Sequence, residues 1–397
     1  MSSLPRALSE LYARIPLGMR LGLGPMRDAC ARFGHPEQAL RTVHVAGTNG
    51  KGSVCAMVAE IARAQGLRAG LYTSPHLCRF AERIRIDGEP IDDDALADTL
   101  GRALGHAPDL SFFEAATLAA LLAFRDAGVD LAILEVGMGG RLDATNVIPA
   151  PVAAGITRIA LDHTERLGAT RVEIAREKAG IAKPGLDLVL GPMPPDVRAA
   201  IDQVARAHGA TTSSIDGVPA PARVGLPGEH QKTNARVAAV LGARIGASPG
   251  AIEAGVANVR WPGRLERIGE FLLDAAHNPD GAEALASHLR ALSLPPEHVT
   301  LVFGTLGDKD WAPMLDVLAP CARARIYVAP TGASRAPIEP ERMSERHPGV
   351  VVASVAEALE LASAAGSSLT VVAGSLVLVG QARALLLGLP RDPPVAL

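Results

Sequence analysis

An apolar run, RTVHVA at 41–46, breaks abruptly into Gly47, Thr48, Asn49, Gly50, Lys51, Gly52 and Ser53, then resumes as the helix-forming VCAMVAEIARAQ. No other stretch narrows the possible folds as much. Glycines at such a junction let successive backbone N–H groups turn inward around a polyphosphate. The helix N-terminus adds positive potential there, and a lysine supplies a point charge. The pattern predicts a nucleoside triphosphate site where a strand hands over to a helix. Its spacing is tighter than the common phosphate loop, because Gly50 follows Gly47 closely and Gly52 separates Lys51 from Ser53. A plain glycine turn is the alternative.

From about residue 42 onward, short β-rich runs alternate with amphipathic helical stretches. RTVHVAG precedes a helix over 52–65, and LRAGLYTS precedes helices over 92–104 and 113–127. DLAILEVG, PVAAGIT, a helix over 171–179 and LDLVLG follow. Strands this apolar have no wet face, so the rhythm predicts a parallel sheet covered by helices on both sides. Proline and glycine punctuate 256–271, after which EFLLDAAH, HVTLVFG, ARIYVAP, GVVVAS and SLTVVAG restart the alternation. Two α/β domains are therefore expected, a nucleotide-binding one over 1–259 and a smaller Rossmann-like one over 260–397. The stretch 208–228, rich in Gly, Pro, Ser and Thr, reads as an exposed connection.

Composition removes several classes. A formal net charge of −3 and only seven Phe, three Tyr and two Trp disfavour a nucleic-acid partner. The N-terminus lacks the form of a secretory signal, and no apolar run approaches the roughly 20 residues of a membrane span. A cytoplasmic protein is expected, with a monomer as the default. Cys30, Cys55, Cys78 and Cys321 stand far apart and read as mostly buried thiols. Of 39 basic residues only Lys51, Lys178, Lys183, Lys232 and Lys309 are lysine. A lysine kept inside a motif is thus more often there for its amine.

Other motifs carry chemistry with open alternatives. Glu135 ends the apolar strand DLAIL, where α/β proteins place ligands, and is either a metal ligand or a cap of the next turn. Ser53 and Ser74 offer hydroxyl oxygens that suit a hard cation or a turn. Phe112 is either core or an aromatic platform. Lys178 either pairs with Glu177, or caps its helix, or has a chemical role.

Many motifs recur in order: GTNGKGS at 47–53, TSPHLCRFAERIRIDG at 73–88, SFFEAATLAAL at 111–121 and LEVGMGGRLDATN at 134–146. ITRIALDHTERLG at 156–168, EKAGIAKPG at 177–185, LPGEHQKTNA at 226–235 and WPGRLE at 261–266 follow, then DAAHNPDG at 274–281, GDKDW at 307–311 and GSLVLVG at 374–380. Together they resemble the dihydrofolate synthase/folylpolyglutamate synthase family of Mur-type ligases. The resemblance implies ATP-dependent joining of L-glutamate to dihydropteroate or a folate through an acyl phosphate. It also implies two Mg2+ sites and a monovalent cation such as K+. The loop 47–53 would bind ATP with Asn234, Arg264 and Asp274, the first near adenine and the last near ribose. Ser53, Ser74 and Glu135 would bind Mg2+, and a carbamylated Lys178 with His163 and Glu135 would hold a second magnesium. His277 would lie near the reaction centre. Phe112, Glu114 and Asp143 would line the folate pocket, and the second domain would have to pack over the first. Ala275 replaces the glycine usual in DGAHNP, and Leu21 replaces a phenylalanine in the leading RLGLGPMRDACARFGHP at 20–36. Other readings are a Mur-type ligase acting on a cell-wall precursor and a non-catalytic ATP-binding module.

Overall fold

The computed structural model describes residues 3–15, 22–332 and 335–392, so Arg20 and Leu21 lie outside the described residues. The chain divides into two compact units. The first runs to Ser74 and takes in Ala81–Gly225 and Gln231–Arg260; the second takes Pro75–Phe80, Leu226–His230 and the chain from Trp261 on. Two short segments expected in the first domain therefore group with the second. The physical reason is close backbone packing. A Cβ on Gly380 would lie 2.2 Å from the Leu77 carbonyl oxygen, and one on Gly228 would lie 2.9 Å from the Leu265 side chain. The Asp392 N–H also donates to the Cys78 carbonyl at 3.1 Å.

Among the described residues the first unit carries eight strands: β1 Thr42–Ala46, β2 Ala69–Tyr72, β3 Ile84–Ile86, β4 Glu89–Pro90, β5 Leu131–Glu135, β6 Ala153–Ile156, β7 Asp187–Leu190 and β8 Thr211–Ser214. Their order is β4-β3-β2-β5-β1-β6-β7-β8. β1 lies between β5 and β6 in parallel register, Val45 opposite Glu135 and Ala46 opposite Ile156. The loops leaving β1, β5 and β6 consequently gather at one edge, where ligands of open parallel sheets bind. Every residue of β1 and β5 is buried, as helices on both faces require.

Two features depart from what the sequence pattern predicts. β3 pairs antiparallel with β2 and with β4, and Asp87 and Gly88 at the β3–β4 turn have φ of 53° and 89°. The Asp-Gly dipeptide in RIRIDGEP was a readable hairpin signal. β8 falls inside the stretch expected to be an exposed connection, yet pairs parallel with β7. As an edge strand it tolerates Thr and Ser, so it carries no apolar pattern.

The second unit holds β9 Glu266–Ile268, β10 Phe271–Leu273, β11 Val299–Phe303, β12 Ala324–Val328, β13 Val350–Val352 and β14 Leu369–Ala373, ordered β13-β12-β11-β14-β10-β9. Only β9 runs antiparallel to its neighbour. Successive strand residues go to opposite cores. Leu301, Phe303, Tyr327 and Val371 pack with Leu285 and Met314, while Val302, Ile326, Val328 and Val372 pack with Leu359 and Leu378. Burial on both faces contributes about 1.5–3 kcal/mol for each such side chain. Cys30, Cys55 and Cys78 are buried, as their sequence context suggested. Among the described residues no helix is long and apolar enough to cross a membrane.

Candidate active site

β1 is followed by Gly47, whose φ is 147° and whose Cβ, if present, would sit 1.8 Å from Thr157 Oγ1. Only glycine fits there. Thr157 Oγ1 donates to the Asn49 carbonyl at 2.7 Å, the Thr48 N–H donates to the Arg158 carbonyl at 2.7 Å, and Thr48 Oγ1 donates to the Ala160 carbonyl at 3.0 Å. The loop after β1 is thus stapled to the loop after β6. The Thr48 hydroxyl also accepts from the Ala160 N–H at 3.1 Å, so that side chain is committed to the staple.

Gly50, with φ 91°, begins the helix Lys51–Ala64. A Cβ there would meet Asn234 Oδ1 at 2.5 Å, which puts Asn234 against the loop. Lys51 Nζ curls back to the Thr48 carbonyl at 3.2 Å. Ser53 is buried, and its Oγ accepts from Gln231 Nε2 at 3.2 Å; Gln231 Oε1 in turn accepts from Asn234 Nδ2 at 2.9 Å. Gln231 and Thr157 are the residues that sequence reasoning missed here. Gln231 stands three before Asn234 in the helix Glu229–Arg244, hence on the same face, and that spacing was a signal that could have found it.

Glu135 is 5% exposed at the end of β5 and accepts the Ser74 N–H on Oε2 at 3.0 Å, so two of the predicted metal residues meet. Lys178, in the helix Arg171–Ala179, is 4% exposed. Burial and the nearby charge of Lys51 push its ammonium down to about 7, while Asp162 and Asp143 oppose the shift. Glu177 bonds Arg141 at 3.0 and 3.2 Å. That removes the main support for a Lys178–Glu177 pair. His163 has φ 52°, an unusual conformation for a non-glycine residue, and its N–H donates to Asp162 Oδ1 at 3.0 Å. Among the described residues no three His, Cys, Asp or Glu side chains form a ready-made metal cage. The oxygen donors of Ser53 and Glu135 nevertheless fit a hard divalent cation that completes its shell with water and phosphate oxygens.

The predicted folate residues differ in what they already do. Glu114 Oε2 accepts the N–H of Ser111 at 2.9 Å and its hydroxyl at 2.6 Å, a capping interaction for the helix Phe112–Asp126. Asp143 is buried and accepts from Met138 N at 2.8 Å, Thr145 N at 3.0 Å and Thr145 Oγ1 at 2.5 Å. Burial pushes its carboxyl up and these bonds pull it back. Phe112 is half-buried, with the Arg83 guanidinium carbon 5.3 Å from its ring centroid and the Tyr12 ring at 6.0 Å. Arg83, itself buried, was not anticipated. An arginine inside an otherwise alternating strand entrance was its only trace in the sequence.

Arg264, Asp274 and His277 belong to the second unit and cluster locally. Asp274 accepts Leu265 N at 2.9 Å on one oxygen and Ala276 N at 3.0 Å on the other. Arg264 Nη1 donates to the Ala275 carbonyl at 3.4 Å, and His277 Nδ1 lies 2.9 Å from the same oxygen. Leu265 takes a φ of 49° to deliver its N–H, a strain of about 1–3 kcal/mol. Ala275 is absent from the positive-φ residues, so its methyl is accommodated without backbone strain.

Residues 45–185 match the Mur ligase middle domain, and residues 263–376 match the Mur ligase glutamate ligase domain. The folylpolyglutamate synthase of Lacticaseibacillus casei is 36% identical over 399 aligned residues, covering 90% of this chain and 92% of that protein. The structure of E. coli FolC in complex with DHPP and ADP superposes with a TM-score of 0.88 at 32% identity, covering 97% of this chain and 98% of that one. The bifunctional folylpolyglutamate synthase/dihydrofolate synthase of Yersinia pestis, complexed with AMPPNP and Mn, gives a TM-score of 0.87 at 31% identity, with coverages of 97% and 98%. Glycine loop, sheet order and full-length similarity agree, and the chain belongs to the folylpolyglutamate synthase/dihydrofolate synthase family of Mur-type ligases.

Proposed function

We propose that this enzyme uses ATP to join L-glutamate to the carboxylate of dihydropteroate, of a folate, or of both. The observation that carries the reading is the stapled Gly47–Ser53 loop with Lys51 folded over it, in a chain similar to these ligases along nearly its whole length. An acceptor carboxylate oxygen attacks the γ-phosphorus of ATP, the O–P bond forms and ADP leaves. The glutamate amine then attacks the acyl carbon, a C–N bond forms, and phosphate departs carrying the former carboxylate oxygen while the amine proton goes to solvent.

The chain's own task is to align two anions and offset the charge between them. Lys51 neutralises the terminal phosphates, the loop backbone cradles them, and Asn234 sets the base side of the nucleotide. Arg264 and Asp274 serve the nucleotide as well, and His277 the reacting groups. Magnesium, when bound, would supply phosphate charge neutralisation; Ser53, Ser74 and Glu135 would hold one ion, and Lys178 with His163 and Glu135 a second. Burial that shifts Lys178 toward its neutral amine suits carbamylation, which would make it an oxygen ligand. We place the enzyme in the cytoplasm as a monomer acting on small molecules.

Acceptor labelled with heavy oxygen in its carboxylate should deliver label to inorganic phosphate, and unlabelled phosphate would sink the mechanism. Offering dihydropteroate and tetrahydrofolate separately, each with glutamate and MgATP, sorts the acceptors. Lys178→Arg keeps the charge but not the carbamate and should nearly abolish ligation. An unmodified amine in a high-resolution map of the active, magnesium-loaded enzyme would remove the carbamate.

A further inference from the structure

His44 lies in the middle of β1 with 0% exposure, an imidazole among Val43, Val45 and Ala46 at the centre of the first sheet. Nothing in the reaction above uses it. Its Nε2 sits 2.8 Å from Thr145 Oγ1. Its Nδ1 is buried with no hydrogen-bond partner. An apolar side chain would fill this site without stranding a nitrogen.

The bonding around Thr145 decides which way the proton points. A threonine hydroxyl has one proton and two lone pairs, and an ionised carboxylate only accepts. Asp143 accepts three bonds, from Met138 N, Thr145 N and Thr145 Oγ1, so its anion is satisfied and the Thr145 proton is spent on it. The hydroxyl must then accept from His44. We propose that His44 is a positioning residue for acceptor binding: a neutral Nε2–H imidazole that, through Thr145, holds Asp143 and the 137–146 loop in place.

The same loop is packed tightly elsewhere. A Cβ on Gly137 would strike the Phe113 ring at 2.4 Å, and Asn146 Nδ2 donates to the Gly180 carbonyl at 3.0 Å, just past the helix carrying Lys178. β1 leads directly into Gly47, so one strand supports the triphosphate loop at its end and the acceptor loop through His44. Full burial, with the charge of Lys183 adding to it, disfavours protonation of the ring, which keeps it a one-way donor.

The inference rests on the ligase reading and on the folate-pocket place that the family resemblance implies for Asp143, and its test separates the two. Gln places an amide N–H near the Nε2 position, whereas Leu removes the donor. In the full-length enzyme, His44→Leu should raise the acceptor KM about 10-fold with the ATP KM unchanged, as loss of one buried hydrogen bond predicts. His44→Gln should recover most of it. Thr145→Val should match His44→Leu, and the double variant should be no worse than either. In 15N-histidine spectra of the wild type, the resonance lost in His44→Gln should show the Nε2–H tautomer. An Nδ1–H tautomer, an unchanged acceptor KM in folded His44→Leu, or equal rises in both KM values would overturn the proposal. Should the wild type fail to release ADP in response to acceptor and glutamate together, the ligase reading falls. The tautomer and the stability of the variants would then still decide whether the relay exists.

Discussion

At the carboxyl edge of the first sheet, groups from neighbouring elements hold the Gly47–Ser53 loop by its backbone and side chains. Thr157 bonds the Asn49 carbonyl, Ala160 bonds the Thr48 hydroxyl, and Gln231 bonds Ser53. At the corresponding edge of the second sheet, Asp274 turns onto its own surroundings and takes the N–H groups of Leu265 and Ala276. The first arrangement braces a backbone from outside and keeps a lysine over it. In the second, a carboxylate is the internal keystone of its loop. Substitutions in the first region should therefore cost activity before stability, and those in the second should cost stability together with activity.

The largest effect expected is at Lys51. Lys51→Ala should lower kcat/KM by about 10³-fold, since charge stabilisation in phosphoryl transfer is worth several kcal/mol, while thermal unfolding stays near that of the wild type. Near-normal turnover would show that the glycine loop does not hold the triphosphate.

Asp274→Ala strands two buried N–H groups and should destabilise the fold by about 3 kcal/mol, read by denaturant unfolding. Were Asp274→Ala to unfold like the wild type while losing ATP use, the contrast between the two edges would collapse into a single kind of site.

Thr157→Val keeps the shape of the side chain but removes the staple to Asn49. The ATP KM should rise about 10-fold with about 1 kcal/mol of lost stability. A purely structural threonine would show the stability change without the KM change.

Glu114 sharpens the comparison from within the first unit, because its carboxylate, like that of Asp274, serves its own helix. Glu114→Ala should cost about 1 kcal/mol, as loss of a helix cap does, and Glu114→Gln a few tenths of that. An acceptor KM that moves with Glu114→Gln at unchanged stability would support the folate role expected from resemblance.

How far these sites could be foreseen depended on the range of the interaction that builds them. The strand runs from RTVHVAG to SLTVVAG fall where alternating and apolar patterns placed them, because burial of strand residues leaves a local imprint. β8 and the β3–β4 hairpin escaped for different reasons. An edge strand can be polar, and strands of three and two residues are too short to leave an alternating pattern around their Asp-Gly turn.

By itself the sequence determined the glycine junction, the lysine within it, the carboxylate ending β5 and the ordered motifs of a ligase family, since each is a backbone or residue-type requirement expressed within a few neighbours. Tertiary structure decided the rest. Thr157 meets Asn49 across 108 residues, His44 meets Thr145 across 101 and Gln231 meets Ser53 across 178. It also decided that Leu77 packs against Gly380 and that Glu177 serves Arg141, which leaves Lys178 its buried place. A side-chain hydrogen bond between distant segments has no local periodicity. It exists only once the sheet brings the ends of β1, β5 and β6 together.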